Sequence, residues 1–590
     1  MPRTHDLPAS NFIRFLMSYG PDASNANLFD EMVALLAKRY QIPPFELKTE
    51  YVDKIIALLR RPAYPASILI AGVAGDGKSY HMRQVWKALG GEESLWGEDG
   101  DKELVVPLED GTQRNVFFVK DLSAYEATSF LELWCRVEAS SKDPSIAFVI
   151  ACNHGQILSR LRETTEFEAL ADALEDTFFQ CDTEKKIKGL HIFDLSRTSQ
   201  SAKLEEITRL VCTHPRWGAC EEKVCSFLNC CPIRRNLARL WNPTDDTPMA
   251  ALRRLCRVVE IAGCDGAHFP IRELYLLVVN AILGVGQPKN LANCHYVKKF
   301  CEGTQTKDLD LYGNILGLNL NPNRRQDNVL FRALSQFEIG HYGDHYFDEL
   351  ILLGENHSDP EMRQLHAKYL GDLPSPPAAA DATRATYIER ARRILFFTWS
   401  EPHHEQNLWG LTAYKHAPQY LRMKEEAKEE DQIEQLVIDG LNRIMTGSAV
   451  NNGKLIQIST NGADSRAPIG LLVVGRVDAD RDYNGIASIV FDAKGADAVP
   501  SLVFGVGNHS EDESCIRFAL TPRRYEFLVC LAEGYLSTSF SSQCQAEFYS
   551  LKAKLVRAAD RCARKRGKAI RLDLIDKSSI TIRTEAPKEN

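Results

Sequence analysis

The residues most capable of chemistry form one uninterrupted run, Gly72-Val73-Ala74-Gly75-Asp76-Gly77-Lys78-Ser79, which follows G-x-x-x-x-G-K-[ST] without exception. Glycines at these positions let the backbone curl so that N–H groups face inward, an arrangement suited to phosphate oxygens. A helix opening at Lys78 adds the positive end of its dipole at the same point. In such a loop Lys78 reaches the β- and γ-phosphates of a nucleoside triphosphate such as ATP. Ser79 ligates Mg²⁺, and the binding run extends to Tyr80.

Phosphate chemistry needs partners at the same edge. Asn115-Val116-Phe117-Phe118-Val119-Lys120-Asp121 is an apolar run ending in an acid. Asp121 is read either as the metal-side acid of the Mg²⁺ shell or as a helix N-cap. Leu122 follows it where a hydrolytic acid would be useful, and Glu126 lies one turn further on. Ile146–Cys152 is a second apolar run, and Asn153 after it either orients a water or opens a turn. Leu190-His191-Ile192-Phe193-Asp194 leads to Arg197, which faces a nucleotide or makes a surface ion pair. Arg272 opens an apolar helix running to Leu283, and either reaches back to phosphates or serves that helix.

Other constellations carry weaker chemistry. His214, Cys220, Cys225, Cys230 and Cys231 supply enough ligands for a structural Zn²⁺, but only Cys220-x₄-Cys225 approaches knuckle spacing. The competing reading is reduced, buried thiols, with Cys212 among them. Asp492-Ala493-Lys494 after Ile489-Val490-Phe491 resembles a short Mg²⁺-nuclease pattern, with Asp478, Asp480 and Asp482 upstream. His341, His345 and the pair His403-His404 are more simply surface or capping residues. From Leu551 to Arg571 nine Lys or Arg face one acid, Asp560. That run is either a phosphate-tracking patch for nucleic acid or the exposed face of an amphipathic helix.

The elements that must position these residues can be read from hydrophobic patterning. Apolar runs at Ser67–Ala71, Asn115–Val119, Ser145–Ala151 and Gly189–Phe193 alternate with helical patterns. This predicts an α/β core whose parallel sheet places ligands at the carboxyl ends of its strands. The expected organisation is an N-terminal helical segment over 1–60, the core over 61–200 and a helical lid with the cysteines over 201–370. A linker over 371–385, a helical segment over 386–450 and a C-terminal α+β module over 451–590 complete it.

Composition bounds the alternatives. The chain has 590 residues, a net charge of −8 and 16 cysteines, with 44% hydrophobic and 25% charged residues. Those values exclude a fibrous repeat, wholesale disorder and a disulfide-dense miniprotein. The first twenty residues show no apolar secretory core, and no apolar run is long enough to span a bilayer. A cytoplasmic, reducing environment without membrane partners is the expectation, and with it reduced cysteines.

Together the loop, Val119-Lys120-Asp121-Leu122-Ser123 and Ile150-Ala151-Cys152-Asn153-His154-Gly155 resemble AAA+-type ATPases. More narrowly, the chain resembles the DptF-type ATPase subunits of DNA phosphorothioation-dependent restriction systems and related antiphage-defence ATPases. Further matching features are Phe193-Asp194-Leu195-Ser196-Arg197, Trp217, Cys231-Pro232-Ile233, Ile271-Arg272-Glu273-Leu274 and Tyr525-Glu526-Phe527-Leu528. The chain departs from that pattern at Leu122, where a second acid often stands, and at His154. The resemblance implies a bacterial cytoplasmic ATPase that works with nuclease or helicase subunits on foreign DNA. A homo-oligomer is a separate expectation, and a nucleotide-dependent ring would let an arginine act in trans. The other functions weighed are a nucleotide-binding scaffold with little hydrolysis and an ATPase-gated nuclease.

Overall fold

The computed structural model describes residues 10–20, 30–43, 45–47, 50–62, 67–97, 100–163, 165–179, 184–187, 189–220, 225, 227–284, 297, 301, 310–353, 360–371, 380–400, 402–426, 431–447, 455–459, 471–476, 487–490, 499–505, 515–537, 541–565, 569–574 and 580–585. The chain divides into two compact units. The first is drawn from Met1–Ile339, Gly354–Ser400 and Lys494–Asp497, the second from Gly340–Leu353, Glu401–Ala493 and Ala498–Asn590.

The first unit opens with three helices, α1 (Ser10–Met17), α2 (Asp30–Tyr40) and α3 (Glu50–Arg60). The sheet region follows as β1 (Ser67–Ala71), α4 (Lys78–Ala88), α5 (Glu93–Trp96), β2 (Lys102–Pro107), β3 (Gln113–Val119), α6 (Ala127–Ser140), β4 (Ile146–Cys152), α7 (His154–Leu161), α8 (Glu168–Phe179), β5 (Glu184–Ile187) and β6 (Leu190–Asp194). Four helices come next, α9 (Gln200–Cys212), α10 (Pro232–Leu240), α11 (Ala250–Cys264) and α12 (Ile271–Leu283).

The six strands form one sheet in the order β2-β3-β4-β1-β6-β5. β3, β4, β1 and β6 run parallel, while β2 and β5 pair antiparallel at the two edges. The four parallel strands are the four apolar runs seen in the sequence. The sheet is therefore mixed rather than wholly parallel. Its edge strands escaped notice because they carry charge: β2 reads Lys-Glu-Leu-Val-Val-Pro and β5 reads Glu-Lys-Lys-Ile.

Both faces are covered, which is why the inner strands are continuously apolar. Alternate side chains point to opposite sides. Leu69, Ala71, Val119, Phe148, Ile150 and Ile192 pack with Phe130 and Trp134 of α6, Ile157 of α7 and Leu174 of α8. Ile68, Ile70, Val116, Phe118, Val149 and Phe193 pack on the other side with Ile55 and Leu59 of α3 and Met82, Val85 and Trp86 of α4. Ile68, Leu69 and Ile70 are wholly buried, each worth about 1.5–3 kcal/mol of transfer free energy. β1 thus lies with β4 at the centre of the sheet, and it delivers the chain into Gly72.

Arg114 at the start of β3 ties α3 to this sheet. It is fully buried, and its guanidinium donates to the carbonyls of Leu59 (2.7 Å), Arg61 (3.0 Å) and Pro144 (2.6 Å). The last carbonyls of α3, Leu59 among them, have no intrahelical donor, so the arginine supplies one where the dipole is negative.

The second unit holds helices His345–Leu352, Ala417–Glu426, Asp431–Thr446, Pro522–Glu533 and Ser542–Lys565. Beside them stand hairpins of β7 (Leu455–Ser459) with β8 (Leu471–Arg476) and β12 (Ala569–Leu574) with β13 (Ile580–Glu585). A three-stranded antiparallel sheet joins β9 (Ala487–Val490), β10 (Ser501–Gly505) and β11 (Cys515–Ala519). Helices 431–446 and 522–533 cross closely at Gly440, where a Cβ would stand 2.2 Å from the Leu528 carbonyl oxygen. Near the expected linker, one helix ends at Gly371 and the next begins at Ala380. Residues 372–379 lie outside the described residues. No helix among the described residues is long and apolar enough to cross a membrane.

Arg114→Met keeps the stem volume and takes this donor from the buried Leu59 carbonyl and from the part-buried Arg61 and Pro144 carbonyls. It is expected to destabilise the first unit by roughly 2–4 kcal/mol. A thermal melt followed by circular dichroism checks this, and an unchanged midpoint would refute the bracing role of the guanidinium.

Candidate functional site at the carboxyl edge of the sheet

β1 ends at Ala71, and the chain turns through Gly72–Gly77 into α4. Gly75 and Gly77 adopt φ of 91° and 86°, a region that side chains strain. Gly77 is the N-cap of α4 and brings no side-chain cap, so the first-turn N–H groups are left for other acceptors. The loop is clasped from beneath. A Cβ on Gly75 would stand 3.0 Å from Pro270 Cβ, and one on Gly77 would stand 3.0 Å from Ile271 Cδ1.

Asp76 holds the loop in shape. It is fully buried; one carboxylate oxygen accepts the Val73 N–H at 2.7 Å, and the other lies 2.7 Å from His268 Nε2. The loop is thereby bonded to the segment that leads into α12. The same contact brings Arg272 near, with its Cβ 3.8 Å from where a Gly75 Cβ would be. His81, one turn into α4, is also fully buried, with its Nδ1 2.8 Å from the Gly77 carbonyl.

Lys78 Nζ lies over the loop. It donates to the carbonyls of Gly72 (3.2 Å) and Val73 (2.8 Å) and to Asn153 Oδ1 (2.7 Å). Burial pushes its pKa below the ordinary lysine value, against the upward pull of the charges on Asp76, Cys152 and Asp121. Asn153 is the N-cap of α7, yet its side chain makes no capping bond and serves Lys78 instead. β4 lies between β1 and β3, so Asn153 is adjacent to the loop and Asp121 is one strand further out. Asp121 is solvent-exposed at the end of β3, and its charge acts on Lys78. Ser79 is exposed at the first turn of α4, while the Tyr80 hydroxyl turns away to the Leu47 carbonyl at 3.2 Å.

The edge continues on the other side of β1. Asp194 ends β6 almost wholly buried, with Oδ2 3.0 Å from His154 Nε2. Its Oδ1 accepts from Ser196 N at 3.0 Å and Oγ at 2.7 Å. Burial alone would raise its pKa, but the bonds from His154 and Ser196 outweigh it and hold the group below the ordinary value. Arg197 donates to the Phe178 carbonyl at 2.9 Å and lies 3.9 Å from Asp194, so it is engaged within the fold.

The structure thus brings Gly72–Ser79, Asn153 and Arg272 together, with Asp121 in electrostatic reach of Lys78. Sequence reasoning missed the roles of Asp76, His268 and His81. No local signal marks His268, because its partner lies 192 residues away.

The cysteine expectation is corrected. Cys230 is disulfide-bonded to Cys301, which removes one of the five expected zinc ligands and one pair from the expected reduced set. His214 stacks on Phe12 with ring centroids 4.3 Å apart, and its Nδ1 accepts from Arg216 N at 3.2 Å. Cys220, Cys225 and Cys231 are close enough to feel one another's charge. Among the described residues, however, no three of these five place ligand atoms within 4.8 Å of one another. Asp344 caps the helix at His345, accepting from Tyr346 N at 3.0 Å, and His404 stacks on Tyr346. In the basic run Leu551 and Leu555 are buried while Lys554 and Arg557 are exposed, as on an amphipathic helix. Asp478, Asp480, Asp482, Asp492 and Lys494 lie outside the described residues.

Comparison with family models, with curated proteins and with solved structures finds no match.

Burial lowers the His81 pKa from 6.5 to about 4. The unfolded chain therefore takes up this proton first on acidification. The contribution of neutral His81 is complete above about pH 6.5 and is lost between there and about 4, by on the order of 3 kcal/mol. Thermal midpoints measured across that window are expected to fall less steeply for His81→Gln than for wild type. Parallel curves would contradict the assignment.

Proposed function

We propose that this protein is an AAA+-like P-loop ATPase that binds and hydrolyses ATP with Mg²⁺ at the carboxyl edge of the sheet. The observation that carries the reading is Lys78. Its ammonium is tethered to two loop carbonyls and to Asn153, at an uncapped helix start, inside an unbroken G-x-x-x-x-G-K-S run. Phosphate oxygens would take over those acceptor positions, and the helix start would add its dipole. The hard oxygen donors Ser79 and Asp121 fit Mg²⁺, which neutralises charge on the phosphates when bound. Arg272 adds a second cation from the α12 side, and Asn153 orients the attacking water.

The biological setting rests on the resemblance to defence ATPases. On that reading the nucleotide cycle powers or gates a DNA-associated restriction complex with nuclease or helicase subunits in a bacterial cytoplasm. The exposed Lys554 and Arg557 support contact with DNA. A second reading, a nucleotide-binding regulatory subunit with little turnover, is favoured by one feature. Leu122 is buried at the position after Asp121, so no carboxylate stands there to polarise water.

Steady-state ATP hydrolysis with and without DNA, alongside ATP binding, tests both. Lys78→Ala is expected to lose about 10²-fold or more in turnover. Asn153→Ala is expected to lower kcat more than it weakens binding. Equal hydrolysis by wild type and Lys78→Ala would sink the ATPase reading, whereas tight ATP binding with no wild-type turnover in either condition would establish the regulatory one.

A further inference from the structure

The second unit contains a buried polar cluster that the nucleotide reading does not use. His416 precedes helix 417–426, and Glu526 and Cys530 stand four residues apart on helix 522–533, hence on one face. Their relative exposures are 2%, 7% and 7%. His416 Nδ1 lies 3.0 Å from Glu526 Oε1, and Cys530 Sγ lies 3.5 Å from the same oxygen. All three ligand atoms fall within 4.8 Å of one another. The second Glu526 oxygen accepts the His416 backbone N–H at 2.8 Å, which fixes the carboxylate.

We propose that His416 Nδ1, Glu526 Oε1 and Cys530 Sγ form a binding site for a borderline-soft divalent cation, with Zn²⁺ the best fit. Three arguments carry it. The donor set of imidazole, carboxylate and thiolate is one that zinc selects over Ca²⁺ or Mg²⁺. The spacing is also close to that of a tetrahedral site. Zinc bond lengths require an N-to-O separation of about 3.4 Å and an S-to-O separation of about 3.6 Å. The cluster needs to open by only a few tenths of an ångström on the imidazole side. Finally, the outer shell is in place. The other imidazole nitrogen, Nε2, lies 3.0 Å from Glu533 Oε1, and the other Glu533 oxygen accepts from Lys415 Nζ at 3.2 Å. A carboxylate behind a ligating histidine fixes its tautomer and raises its basicity. Binding displaces the Cys530 thiol proton and the proton on His416 Nδ1 to water, and a water molecule completes the coordination. The site owes nothing to the cysteines between 212 and 231.

The test uses the full chain, stripped with chelator and titrated with Co²⁺ as the spectroscopic stand-in for Zn²⁺. Wild type is expected to bind with a thiolate-to-cobalt charge-transfer band. Cys530→Ser, checked for native circular dichroism, is expected to lose one metal equivalent and its band, while Cys220→Ser keeps both. Glu533→Gln is expected to weaken the metal about 10- to 100-fold without abolishing the band. Should Cys530→Ser misfold, Glu526→Gln serves the same comparison through stoichiometry. The proposal is overturned if wild type binds no metal under these conditions, or if stoichiometry and band are the same in Cys530→Ser as in wild type.

Discussion

The arrangement at the sheet edge depends on one buried carboxylate. Asp76 sits fully inside the loop that it belongs to. Removing a carboxylate from water costs several kcal/mol unless its oxygens are well bonded. Here one oxygen takes the Val73 N–H and the other takes His268. Those two bonds make the burial tolerable, and they fix two things at once. The loop cannot open without stranding the charge, and the segment before α12 cannot move off without doing the same. The close approaches of Pro270 and Ile271 to Gly75 and Gly77 follow from that clasp, as does the position of Arg272.

The sheet supplies the other half of the geometry. Because β4 is inserted between β1 and β3, the residue after β4 can reach Lys78 directly. Asn153 gives up the capping role that its position on α7 would favour, leaving that helix start without a side-chain cap. A local preference yields here to an ionic hydrogen bond, which is about twice as strong as a neutral one. Such departures from local rules gather at functional positions, because the compensation comes from elsewhere in the fold.

What was legible in the sequence follows the range of the forces involved. β1, β3, β4 and β6 could be read because strands buried on both faces must be apolar throughout. The loop could be read because its glycines and lysine are contiguous. β2 and β5 could not, since edge strands carry charges that resemble loops. The Asp76–His268 bond joins residues 192 apart, and no pattern of either segment encodes it. The cysteines show the limit most clearly. Density in the sequence drew attention to residues 212–231, yet Cys230 pairs with the distant Cys301 and His214 is stacked among aromatics. His416, Glu526 and Cys530 are spread over more than a hundred residues and converge only through helix packing.

Lys78, Asn153, His154 and Asp194 also form one continuous polar path. Lys78 is bonded to Asn153; the next residue, His154, lies 3.0 Å from Asp194, and Asp194 holds Ser196 and lies beside Arg197. Arg197 in turn donates to the Phe178 carbonyl near the end of α8. The path crosses from β4 to β6 over the end of β1, by way of the first turn of α7. The Lys78 ammonium has three donors and spends them on Gly72, Val73 and Asn153, so a ligand that bonds to it takes the place of at least one of these acceptors. The buried carboxylate at β6 tolerates little loss of partners, since burial already pushes its charged form uphill.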